Sequence, residues 1–122
     1  MSKWLAIALL LCVPLRAHAA STHSVTLSWT ASVDAGVAYN VYRSPATAGT
    51  PVSCPTAPGS AWVQVATGVT VLTYTDTAGT NAGSAWCYYA TSTLGGLESI
   101  PSNLASAVIL PGAPSALATV IH

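Results

Sequence analysis

Five short segments follow one another in this chain with apolar and polar residues alternating or β-prone types dominating. They are Ser24-Val25-Thr26-Leu27-Ser28-Trp29, Tyr39-Asn40-Val41-Tyr42-Arg43, Thr73-Tyr74-Thr75-Asp76, Trp86-Cys87-Tyr88-Tyr89-Ala90-Thr91 and Glu98-Ser99-Ile100-Pro101-Ser102-Asn103. In the first, Val25, Leu27 and Trp29 alternate with Thr26, Ser28 and Thr30. A period of two puts one set on a buried face and the other toward solvent, as in a half-buried strand. In the second, Tyr39 and Val41 share one face and Asn40 and Tyr42 the other. Outside the first twenty residues, no window of ten or more shows helical periodicity.

Punctuation between these segments is equally regular. Asp34-Ala35-Gly36 reads as a turn, Asp76 to Gly83 is turn-rich, and Gly95-Gly96 reads as a tight turn. Ser44 to Ser60 holds Pro45, Pro51, Pro55 and Pro58, and proline cannot donate to a sheet ladder, so this stretch reads as a loop or edge. Further strands are predicted over Trp62-Val63-Gln64-Val65 with Gly68 as its end, over Val69 to Thr75, and over Leu104 to Leu110. Six short strands separated by turn signals predict an all-β sandwich. Its core is expected to draw on Val25, Leu27, Trp29, Tyr39, Val41, Leu72, Tyr74, Trp86, Tyr88, Leu104 and Val108.

The first nineteen residues read as a separate object. Lys3 gives a positive start, Trp4 to Leu15 is an apolar run of about twelve residues, and Ala17-His18-Ala19 has small residues at the cleavage positions. Such a run has the size of a signal-peptide core and is short for a bilayer span. Cleavage is predicted between Ala19 and Ala20, leaving a secreted product, extracellular or periplasmic, with no membrane segment. Three regions follow: a leader over 1–19, a sandwich domain over 20–110 and a proline-containing tail over 111–122.

Charge is scarce. Charged residues are 5% of the chain, against about 25% in an average domain. Beyond the leader only Arg43, Asp34, Asp76 and Glu98 remain, a net charge near −2. A surface of this kind cannot neutralise phosphates, which excludes nucleic-acid binding, and it has no basic run for an anionic membrane.

Removing the leader also leaves two cysteines, Cys54 and Cys87. An even count in a small exported domain reads as a disulfide, with free buried thiols as the alternative. No histidine stands at ligand spacing from either, so no metal site is predicted.

The parts for catalysis are missing. Asp34, Asp76 and Glu98 come from different turns, and Asp76 reads as a side chain bonded to its own turn backbone. His23 and His122 lie at the two ends of the mature chain. There is no nucleophile elbow, phosphate loop or dinucleotide fingerprint. The expectation is a non-enzyme with no cofactor.

Binding is the better-supported class. If Trp86, Tyr88 and Ala90 face the core, Tyr42 and Tyr89 share the outer face of one sheet. A one-residue shift would exchange the faces of that strand. Aromatic rings on a sheet can stack on sugars or contact a protein, and they can equally pad the sheet and shield a disulfide. Trp62, on an edge strand, reads either as a third contact residue or as a lid over the core rim.

Taken in order, the segments resemble a fibronectin type III domain over about Ser21 to Leu110. Leu27-Ser28-Trp29 is similar to its strand B, Tyr39 to Arg43 to strand C, Tyr74-Thr75-Asp76 to the end of strand E, the aromatic run at Trp86 to strand F, and Glu98-Ser99 through Ser102-Asn103 to the opening of strand G. The resemblance implies an immunoglobulin-like β-sandwich in which strands C and F are neighbours, placing Cys54 after C and Cys87 on F. It also implies an extracellular scaffold, spacer or protein-contact module, with a polysaccharide-binding module using Tyr42, Tyr89 and Trp62 as the alternative.

One departure stands out. Strand A is short or missing, and a Pro-x-x-Pro-x-x-Leu pattern of the kind that announces it appears at the far end, as Pro111-Gly112-Ala113-Pro114-Ser115-Ala116-Leu117. The tail can be the stub of a further domain, a disordered segment, or a strand given to a neighbouring copy. In the last case Pro111 to Ile121 would mediate head-to-tail self-association.

Overall fold

Four of the five segments form strands in the computed structural model, which describes residues 23–115 and 117–119; of the fifth, Glu98 to Asn103, only Glu98 lies in a strand, because Pro101 cannot donate to a ladder. The predicted leader and its Ala19–Ala20 cleavage site lie outside the described residues, as do Ala116 and Val120 to His122 of the tail. Seven strands are present: β1 Val25–Ser28, β2 Ala38–Pro45, β3 Val63–Val69, β4 Thr73–Asp76, β5 Ala85–Leu94, β6 Leu97–Glu98 and β7 Ala105–Val108. Every regular element among the described residues is a strand, and none is a helix that could cross a membrane.

Two antiparallel sheets make an immunoglobulin-like β-sandwich. One pairs β1 with β4, and the other runs β3-β2-β5, with β6 and β7 both paired to β5. The β2–β5 ladder is the spine, in register from Ala38 opposite Thr93 to Pro45 opposite Trp86. Among the described residues no strand precedes β1, so its second edge carries no strand partner.

Alternation along the spine sorts side chains between two faces. Inward lie the pairs Val41–Ala90 and Arg43–Tyr88, which meet the opposite sheet. The core groups Val25, Val41, Tyr88 and Ile109, with Leu27, Trp29, Val65, Tyr74 and Trp86 packed around them. The phenol of Tyr74 donates to the Val65 carbonyl at 3.2 Å, and that of Tyr39 accepts the Ser32 N–H at 2.8 Å. These two phenols are thus buried with their polar tips satisfied, whereas the buried indole N–H of Trp29 has no hydrogen-bond partner among the described residues.

Arg43 joins the sheets. Its guanidinium stands 2.9 Å from the carboxylate of Asp76 on β4 and 4.1 Å from the centre of the Trp86 ring, and it also donates to the Ala78 carbonyl. The same Asp76 oxygen accepts the Tyr88 hydroxyl at 2.8 Å, and the other accepts the Ala78 N–H at 3.2 Å. Asp76 therefore makes the turn bond expected of it and, in addition, an ion pair across the sandwich. Burial pushes the Tyr88 phenol well above its ordinary pKa, and the adjacent Asp76 carboxylate pushes it further.

Three expected core residues lie outside the core. Leu104 and Val108 are exposed, while Ala107 and Ile109 turn inward, because the last strand runs one residue out of the assumed phase. Ile109 lies beyond β7 and is held by its N–H on the Ser84 carbonyl at 2.8 Å and its carbonyl on the Gly83 N–H at 2.7 Å. Leu72 is exposed because it sits in the bend before β4, where alternation does not carry back. The predicted stop at Gly68 is a bend within β3 instead: Gly68 takes φ +67°, and the β2–β3 register shifts between Tyr39 and Tyr42.

Candidate functional site

The outward face of the spine carries three cross-strand pairs in sequence: Ser44 with Cys87, Tyr42 with Tyr89, and Asn40 with Thr91. Each pair meets a different partner, and together they build the one surface where the sequence places candidate site residues.

At the first pair, Cys87 is bonded to Cys54, with Cα atoms 5.8 Å apart. Cys54 lies in the proline-rich loop, so the bond draws that loop over the sheet. Within the loop, Thr47 and Ser53 exchange backbone hydrogen bonds at 2.9 and 3.0 Å. Cys87, Tyr89 and Trp62 make a second apolar cluster, with Tyr42, Ala46, Cys54 and Ala57 packed on it.

At the second pair, the Tyr42 and Tyr89 rings stack with centroids 4.7 Å apart and planes 17° from parallel. Trp62 presents itself to Tyr89 at 4.8 Å and 65°. Its indole N–H donates to the Thr56 carbonyl at 3.1 Å, which fixes the ring to the tethered loop. Trp62 and Tyr89 are 8% and 6% exposed, so most of their ring surface is used within the molecule. Tyr42 is half-buried. Sequence reasoning put Tyr42 and Tyr89 on one face and offered Trp62 as a third contact residue or a lid; the fold places Trp62 against Tyr89, just ahead of β3.

At the third pair stands a residue read from sequence as an ordinary loop carboxylate. Glu98 projects from β6, and one oxygen, Oε2, accepts from Thr91 Oγ1 at 2.5 Å, Tyr42 OH at 2.5 Å and Asn40 Nδ2 at 3.2 Å. Asn40 in turn accepts from Thr67 Oγ1 at 2.9 Å, and Gln64 donates to the Tyr42 oxygen at 3.2 Å. These donors hold the Glu98 carboxyl below its ordinary pKa, Thr91 contributing most, then Tyr42 and Asn40. The same bond raises the Tyr42 phenol, with desolvation adding to it. Burial raises Tyr89, helped by its neighbours Tyr42 and Glu98.

Glu98 is positioned by a hairpin and by two serines. Gly95 and Gly96, at φ +61° and +81°, turn β5 into β6 in a conformation that favours glycine. Beyond β6, Ser99 and Ser102 donate their N–H groups to the Ser92 and Ala90 carbonyls at 2.8 and 2.9 Å. Their hydroxyl oxygens accept the N–H groups of Ser92 and Ala90, both at 3.0 Å. The ladder thus continues past Pro101 through side chains, which explains why two serines flank that proline.

A cleft of about 290 Å³ opens on this face, lined by Tyr42, Trp62, Tyr89, Thr91 and Glu98, with Pro58 and Gly59 from the loop and Ser99 and Pro101 from the segment after β6. Its chemistry is aromatic with a single held carboxylate. Among the described residues no group of three or more His, Cys, Asp or Glu stands close enough to share a metal ion.

No protein-family model matches the chain, and no curated protein matches it. A solved structure does: the crystal structure of an Fn3-like protein from Clostridium thermocellum, 27% identical, superposes with a TM-score of 0.54 over 78% of this chain and 84% of that one. With two facing sheets, a β2–β5 spine and this neighbour, the chain has a fibronectin type III-like fold.

Proposed function

We propose that the protein is an exported, non-catalytic module that acts outside the cytoplasm as a spacer, scaffold or protein contact. The observation that carries this reading is where its few reactive groups are spent. Asp76, Arg43 and Tyr88 tie the two sheets together, Cys54 and Cys87 clip the proline-rich loop to β5, and Glu98 gathers three side chains of the outer face. A disulfide of this kind suits an oxidising compartment. The test is twofold: the oxidised protein should resist proteolysis, and it should turn over no ester, glycoside, peptide or phosphate substrate. Rapid cleavage of the folded domain, or reproducible turnover, would refute the reading.

Assembly by strand donation is a second reading with its own support. β1 has one edge without a strand partner among the described residues, and Pro111–Ser115 joins no sheet while Leu117 is 93% exposed. A tail that pairs with the β1 edge of the next copy would build an open chain of subunits. Electron microscopy and size-exclusion chromatography of the full chain, with and without residues 111–122, decide it: a monomeric full chain rules it out. The polysaccharide reading needs open ring faces, and of the three aromatics Tyr42 retains the most surface. A glycan array on the wild type and on Tyr42→Ala tests it.

A further inference from the structure

The two faces of the β2–β5 spine each bring an aromatic ring beside a carboxylate. Inside, Arg43 lies 4.1 Å over the Trp86 ring and donates to Asp76 at 2.9 Å. Outside, Tyr42, Tyr89 and Trp62 stand beside Glu98, and no Lys or Arg side chain of the described residues pairs with that carboxylate. Arg43, the single Lys or Arg among the described residues, is committed to the inner face. Glu98 accepts its three hydrogen bonds on Oε2, and Oε1 has no partner among the described residues.

We infer that the outer cleft receives one arginine side chain from a protein partner, its guanidinium donating to Glu98 Oε1 and its planar face resting against the Tyr42 aromatic wall.

Three observations favour this occupant. A guanidinium matches a carboxylate and an aromatic ring at once, whereas an ammonium is a point charge. At about 290 Å³ the cleft falls just under the roughly 300–1,000 Å³ typical of small-molecule sites, a size suited to one side chain. Charge agrees: with Asp76 neutralised by Arg43, the described surface keeps Asp34 and Glu98 as its carboxylates.

The inference rests on the contact-module reading and names its partner's chemistry. It is tested on the oxidised protein by two-dimensional amide NMR, titrating acetyl-Gly-Arg-Gly-amide against the same peptide with citrulline, a neutral urea of equal shape. Saturable shifts at Tyr42, Thr91 and Glu98 are expected with the arginine peptide. The citrulline peptide should bind about tenfold more weakly or worse, as should the arginine peptide to Glu98→Gln, in line with the loss of a charged hydrogen bond. The citrulline comparison needs no variant and stands even if Glu98→Gln folds poorly. No saturable shift with arginine, or equal binding of both peptides, overturns the proposal. So does a neutral oligosaccharide that shifts these resonances where the arginine peptide does not. Such a failure leaves the spacer role standing, whereas turnover or ready proteolysis ends that role whatever the peptides do.

Discussion

Arg43 and Asp76 pair at 2.9 Å across the two sheets, with the Asp76 side chain 1% exposed and the Arg43 side chain 18%. Breaking such a pair costs more than the pair is worth in net stability, because the remaining partner stays desolvated. Asp76→Ala strands both the guanidinium and the Tyr88 hydroxyl. Urea denaturation should show a loss of about 2–4 kcal/mol. Arg43→Met, which keeps packing against Trp86 but leaves the carboxylate buried alone, should be comparably damaging. A loss below about 1 kcal/mol for Asp76→Ala would mean the pair is not buried as described.

The bond between Cys54 and Cys87 closes a loop with a sequence separation of 33. On the chain-entropy model this is worth about 3–4 kcal/mol. The double variant Cys54→Ser, Cys87→Ser should lose about that much by denaturation. Its Trp62 fluorescence should also change, since the loop that holds the indole is no longer clipped to β5. An unchanged midpoint would contradict the assignment.

Alkaline pH should unfold the protein through Tyr88. Its folded pKa is raised above the ordinary 10.0, so the folded state keeps a proton that the unfolded chain gives up. The associated stability is full below pH 10 and falls as the pH climbs beyond it. Tyr42 and Tyr89 are raised as well and add to the slope. Tyr88→Phe should flatten the stability profile above pH 10, measured by denaturation at fixed pH steps; an unaltered profile would place the effect elsewhere.

Glu98 acts with the opposite sign. Its folded pKa is lowered from 4.5, so its contribution is complete above that value and is lost as the pH falls through the depressed one. The residue is exposed, and its effect on stability should stay below about 1 kcal/mol. The clearer readout is the carboxyl resonance of Glu98 followed by NMR. Thr91→Val should move its midpoint upward, toward 4.5; a midpoint that ignores Thr91 would remove the principal cause assigned here.

The serines around Pro101 make a local prediction. Ser102→Ala leaves the Ala90 N–H without its side-chain acceptor, and Ser99→Ala does the same to Ser92. Each should cost about 0.5–1 kcal/mol. Hydrogen exchange should quicken at Ala90 or Ser92 specifically, and protection unchanged at both amides would show that water already serves them.

Strand positions were legible because period two is a strong local signal. Val25–Ser28, Ala38–Pro45 and Ala85–Leu94 fall where alternation places them. The inward face of β5 was legible only conditionally, and it is fixed by the pairing of Tyr88 with Arg43 opposite Asp76. Two kinds of information were not local. Phase was lost at strand ends: a bend before Thr73 exposes Leu72, and a shift at β7 exchanges Leu104 and Val108 for Ala107 and Ile109. Convergence was also hidden. Glu98 meets Asn40 and Tyr42 across 58 and 56 residues, and no spacing in the chain announces that three donors from two strands will share one oxygen. The segment from Glu98 was noticed but placed too late, because the two residues of β6, Leu97 and Glu98, are too few to alternate.

The sulfur bridge has a mechanical side. It spans from the loop after β2 to near the start of β5, so β3 and β4 lie inside the ring it closes. Tension applied at the two termini would travel through the bridge and bypass everything between residues 54 and 87. That hidden stretch would otherwise contribute on the order of 100 Å of extended length. Pulled at its ends, the oxidised molecule can lengthen only by its outer segments, and the reducing state of its surroundings would set how far it gives.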